Sequence, residues 1–280
     1  MNFTNFYKIC SIDDNNGSMV LGGGTGASDF LYEAGQILTD IFGVKRNFEA
    51  KEVAYNLSEV MIKMKREGID SHLRSNYGVD TARAISGEGI DMQLKERVMK
   101  VLTGEDRRMG QFYSGMFILI GKDKDKVNLY NIPIAERPML SSRPYGSVGS
   151  GSDESDKVLY SFVESLKKDQ RKNIDPSSGM MALIRATNAS SEINQGVGGV
   201  PTISYFNSNA IKILGEDESR LATEIVKVMD ANLIKKSLAK DSISDLLYNS
   251  ENFEDIENKA FNCKGSNYNQ IMRFLREYKI

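Results

Sequence analysis

The chain has 280 residues, 40% hydrophobic and 26% charged, with 36 basic against 38 acidic side chains and a formal net charge of −2. That balance is ordinary for a folded globular protein and excludes the broad basic footprint of a nucleic-acid-binding surface. Two cysteines, Cys10 and Cys263, and one histidine, His72, leave no disulfide framework, no metal-ligand spacing and no histidine-based triad. No apolar run is long enough to span a bilayer and residues Met1 to Lys8 lack an apolar signal region, so no membrane partner and a cytoplasmic location are expected.

Phe6 to Ile12 alternates apolar and polar side chains and predicts a strand. Asp13-Asp14-Asn15-Asn16-Gly17 turns it into a second strand at Ser18–Leu21, which makes a hairpin. Gly22-Gly23-Gly24-Thr25-Gly26 then reads as a glycine-rich turn, with Asp29 at the start of a helix from Phe30 to Ile41. Leu31, Ala34, Ile37, Leu38 and Ile41 share one face of that helix. A second helix is predicted from Ala50 to Arg66, with Val53, Leu57, Val60, Met61 and Met64 at helical spacing. From Arg74 to Gly110 the periodicity weakens and Gly87, Gly89 and Gly104 interrupt it. The segment reads as a surface insertion with one helical stretch at Ile90–Leu102.

Met116 to Gly121 is strongly apolar and Val127 to Ile132 alternates again, which predicts a second hairpin. Tyr145-Gly146-Ser147-Val148-Gly149-Ser150-Gly151-Ser152-Asp153 repeats the plan of the first glycine junction and leads into a helix through Val158–Val163. Gly179 to Ala189 predicts a fourth helix, and Pro201–Phe206 and Asn209–Leu214 two late strands. Beyond Glu216 the chain is charged and helical. Strands arrive in hairpins rather than alternating singly with helices, which argues for an α+β fold of two antiparallel sheets flanked by helix pairs.

Taken in this order, the motifs resemble the proteasome subunit family, the N-terminal-nucleophile hydrolases of the 20S α/β type. The likeness runs from Tyr7 to Leu214 apart from the insertion. Phe6 to Ile12 is similar to the strand bearing that family's active-site lysine, and Gly24-Thr25-Gly26-Ala27-Ser28-Asp29 to its approach to the first helix. Phe117–Gly121 with Leu129–Ile132 is similar to the central hairpin, and Gly149-Ser150-Gly151-Ser152 to a Gly-Ser-Gly-Ser turn. Glu192-Ile193-Asn194-Gln195-Gly196 occupies the place of an Asp-x-x-Ser-Gly loop.

The resemblance implies a four-layer αββα sandwich over residues 1–215, with an insertion at 74–110 and a C-terminal helical extension at 216–280. It also implies a homo- or hetero-oligomeric ring acting on a peptide or protein substrate, with no cofactor and no metal. The implied chemistry is amide hydrolysis by an N-terminal threonine whose own amine helps as base. By position, Lys8 would lower the pKa of that amine, Gly24 would supply an oxyanion N–H, Ser150 would orient the amine, and Glu192 would stand where the family has aspartate. Each residue also has a plainer reading: an outward strand lysine, a turn glycine, a helix cap and a solvent-facing acid.

The chain departs from the pattern. The family's nucleophile lies well upstream of the lysine, whereas Thr4 is the single threonine ahead of Lys8, so no nucleophile is evident. Glu192 replaces aspartate and Gln195 replaces serine. Three readings follow: a proteolytic subunit where an upstream nucleophile segment exists, a non-catalytic structural ring subunit, and a nucleotide-binding α/β protein that uses the triple glycine to cradle phosphate.

Overall fold

In the computed structural model the strands form two antiparallel sheets, five-stranded and two-stranded, in an α+β fold. The described residues are 9–13, 18–26, 28–42, 48–112, 115–123, 126–134, 136–194, 198–207, 210–248, 252–262 and 268–277. The chain divides into two units, Met1–Gly149 and Ser150–Ile280, each with its own sheet and helices.

The first unit holds β1 (Ile9–Asp13), β2 (Ser18–Gly26), β3 (Gly115–Asp123), β4 (Lys126–Pro133) and the short β5 (Met139–Leu140), paired antiparallel in that order. Both expected hairpins are present, and β5 is an addition to them. β2 does not stop at Leu21. It continues through the glycines, with Gly22, Gly23 and Gly24 opposite Leu119, Ile118 and Phe117 of β3. Gly24 is there for packing, since a Cβ would lie 2.8 Å from the Phe117 ring and 3.2 Å from Leu31. The triple glycine is therefore a strand segment under an aromatic ring, not the loop that a phosphate cradle needs.

Phe117 and Leu119 of β3 and Tyr130 and Ile132 of β4 are buried in one core with two helices. Helix α1 (Ser28–Phe42) contributes Leu31, Ala34, Leu38 and Phe42, and helix α2 (Ala50–Tyr77) contributes Val53, Ala54, Leu57 and Met61. The start of α2 is set by β3. The Ala50 amide donates to the Asp123 carboxylate at 2.8 Å, and a Cβ on Gly121 would fall 1.9 Å from that of Ala50. Further along α2, the Ser58 hydroxyl donates to the Glu136 carbonyl at 2.6 Å.

Helix α2 runs past Arg66 because Ile69 and Leu73 prolong its apolar stripe; it ends at Gly78, in the left-handed region at φ +66°. The segment expected to be a loosely patterned insertion is folded. Helix α3 (Thr81–Ser86) is capped by the Asp80 carboxylate and α4 (Met92–Thr103) by that of Asp91. A 3₁₀ turn at Arg107–Phe112 closes it. Ile69, Leu73, Val79, Ala84, Val98, Val101 and Met109 form a separate small core.

The second unit contains helices α5 (Ser152–Ser165) and α6 (Pro176–Ile193), strands β6 (Ser204–Asn207) and β7 (Ala210–Ile213), and helices α7 (Glu216–Asp230), α8 (Lys236–Tyr248), α9 (Phe253–Phe261) and α10 (Tyr268–Glu277). The helices after Glu216 are not peripheral. Leu221, Ile225, Val226, Ile243, Ile256 and Ile271 belong to one core with Met180, Met181 and Ile184 of α6. Arg185 on α6 pairs with Asp230 on α7, and the Tyr205 hydroxyl on β6 donates to the Leu247 carbonyl on α8. Among the described residues, no helix is long and apolar enough to cross a membrane.

If α2 is seated through Gly121, then Gly121→Ala overpacks the contact and lowers unfolding stability by about 1–3 kcal/mol in urea titration. Ala50→Gly in the same chain removes the opposing Cβ and should recover part of that loss. A neutral Gly121→Ala would show that α2 does not rest there.

Candidate functional site

The four residues singled out by sequence have different surroundings. Lys8 lies outside the described residues. Gly24 is half-buried inside β2. Ser150 is exposed in the turn before α5, and Glu192 is exposed in the last turn of α6. Gly24 belongs to the first unit, Ser150 and Glu192 to the second.

The turn at 149–151 is where the structure is most specific. Gly149 has φ +108°, which a side chain rarely adopts, and within the first unit its Cα faces Thr25, with an added Cβ 3.4 Å from the Thr25 hydroxyl oxygen. In the second unit, the two carbonyls that follow are both held by α6. The Asn194 side-chain amide donates to the Ser150 carbonyl at 2.6 Å, and the Ser190 hydroxyl donates to the Gly151 carbonyl at 2.7 Å. Ser190 is buried and its oxygen lies 2.6 Å from the Ser155 hydroxyl. The Ala186 carbonyl lies 3.1 Å from both hydroxyls and is a second acceptor in the same cluster.

This lock fixes two consecutive peptide planes. In a trans peptide the N–H points opposite to the C=O, so the amides of Gly151 and Ser152 are directed away from α6 at the start of α5. Such an arrangement can present the Gly151 amide as a donor, with the Ser150 hydroxyl in the same turn. That hydroxyl has no hydrogen-bond partner among the described residues, and so no activating base among them.

Ser155, Ser190 and Asn194 were not anticipated. Their signal is the spacing of small residues where two helices approach closely, at Ala182, Ala186 and Ser190 on α6, with Ser155 and Leu159 facing them on α5. Among the described residues, no group of His, Cys, Asp and Glu is placed to hold a metal ion.

No protein-family model matches the chain, and no curated protein matches it. Solved structures do share its fold. Anbu, described as an ancestral beta-subunit, from Yersinia bercovieri superposes with a TM-score of 0.53 at 11% identity, over 81% of each chain. Anbu from Hyphomicrobium sp. strain MC1 gives 0.51 at 10% identity, over 85% of this chain and 88% of that one. These likenesses replace the family expected from the motifs: membership of the 20S α/β-type subunits, with their nucleophile segment missing, does not stand. What is shared at this identity is the Anbu fold.

Ser190→Ala removes one of two donors to the Gly151 carbonyl, which keeps the Ser155 amide, and leaves the Ser155 hydroxyl with the Ala186 carbonyl, so it should cost about 0.5–1.5 kcal/mol of unfolding stability. Because Asn194 holds the same turn, Ser190→Ala with Asn194→Ala should be non-additive in a double-mutant cycle. Strict additivity would mean that the two side chains do not act on one element.

Proposed function

We propose that this chain is a self-associating subunit of the Anbu kind that holds a peptide or protein substrate rather than cleaving it with its own described residues. The observation that carries this reading is the locked turn before α5. Two backbone planes are fixed by Asn194 and Ser190, while the neighbouring Ser150 hydroxyl has no activating partner among the described residues. The fixed Gly151 amide suits the recognition of a peptide carbonyl, which needs a donor and no base. The fold of a protein described as a beta-subunit, shared over most of both chains, supports assembly.

In this reading the second unit meets the bound chain through the Gly151 amide, the Ser150 hydroxyl and the Glu192 carboxylate. Assembly is tested by size-exclusion chromatography with light scattering at micromolar concentration, where an assembly larger than a dimer is expected and a strict monomer would sink the idea. Function is tested with an unfolded protein substrate. Binding without cleavage is expected, weakened in Ser150→Ala, and turnover abolished by Lys8→Ala would instead establish the hydrolytic reading.

A further inference from the structure

The folded insertion carries a surface cavity of about 410 Å³, lined by Asn76, Tyr77, Arg97, Lys100, Asp106 and Arg108. That size suits a small ligand. Its side-chain hydrogen-bonding capacity is unusually one-sided. The Asp106 carboxylate is taken up by Arg108, which donates from Nε at 3.1 Å and from Nη2 at 2.8 Å. Arg108 also holds that carboxyl down to about 2, so it stays ionised and occupied.

The donors, by contrast, have capacity left. Tyr77 accepts from Arg108 Nη2 at 3.1 Å, which leaves its own hydroxyl proton to give. Lys100 uses one of three N–H groups on Glu96 at 2.9 Å. Arg97 makes no hydrogen bond or ion pair among the described residues, and none of the bonds of Arg108 uses Nη1. Asn76 spends its amide protons on the His72 carbonyl, at 3.0 Å, and on His72 Nδ1, at 3.3 Å. Since the carbonyl can only accept, the amide nitrogen is fixed, and His72 Nδ1 is an acceptor. The neutral imidazole proton is then on Nε2, a buried atom with no hydrogen-bond partner among the described residues.

Two guanidiniums, an ammonium and a phenol with protons to spare outnumber the lining's acceptors, a carboxylate already satisfied and the Asn76 carbonyl oxygen, and match a ligand that accepts. We infer that this cavity binds an oxyanion of the phosphoryl class, either inorganic phosphate or a phosphomonoester. Arg97 and Arg108 grip the non-bridging oxygens, while Lys100 and Tyr77 complete the shell. Glu96 and Glu105 are the nearby acids that limit the affinity by drawing on Lys100. The site is independent of the peptide-holding reading, since it lies within the insertion and uses none of the residues assigned there.

Because His72 is the single histidine, its imidazole NMR signals report on the cavity without assignment; its ring is 6.1 Å from that of Tyr77. The full chain is titrated with inorganic phosphate and, separately, with glycerol 3-phosphate, each against chloride at matched ionic strength. Saturable shifts are expected, and tighter binding of the ester would name the phosphomonoester as the ligand rather than the free ion. Arg97→Gln, an exposed change, should weaken binding about tenfold, as should Arg108→Lys, while Lys63→Gln elsewhere on α2 should leave it unchanged. Shifts that chloride reproduces, or an affinity unaltered in Arg97→Gln with an intact melting profile, would overturn the proposal.

Discussion

At Gly121 the backbone of β3 comes so close to the first residue of α2 that neither strand nor helix has room for another carbon, and Asp123 caps the same helix from the same strand. The rest of the first unit depends on that contact. It fixes the end of a helix of 28 residues, and a rigid rod fixed at one end carries its far end with it. The near half of α2 packs on the sheet through Val53, Leu57 and Met61. The far half carries Ile69 and Leu73 into the core of the insertion.

The second unit solves a related problem with side chains in place of a missing one. Small residues on α6 let α5 approach closely, and the hydroxyls of Ser155 and Ser190 satisfy one another and the Gly151 carbonyl there. A buried hydroxyl without partners is costly, so a pair of serines is acceptable at such a seam only when the network is complete. The consequence is a turn whose backbone cannot rotate without breaking two bonds to α6.

Much of this was legible in the sequence. The two hairpins, α1, α5, the inner part of α2 and the helical character after Glu216 follow from periodicity and turn chemistry. The misreadings have physical causes. Glycine is ambiguous between a turn and a strand overlaid by an aromatic ring, and the deciding partner of Gly24, Phe117, is distant in sequence. The second helix was expected to end at Arg66, but burial of Ile69 and Leu73 carries it on through Gly68 and outweighs the modest cost of one glycine in a helix. The lock on the 149–151 turn was invisible because it depends on the approach of two helices. Sequence motifs alone also pointed to a narrower family than the fold supports.

One consequence of the long helix concerns how the molecule comes apart. Between Met64 and Ile69 the side chains of Arg66 and Glu67 are exposed, and the two ends of α2 answer to different cores. A single continuous helix thus straddles two cooperative regions, the outer one with a small core of its own. Amide protection along α2 should then fall in a step near Gly68, with the outer half opening while the inner half remains shut.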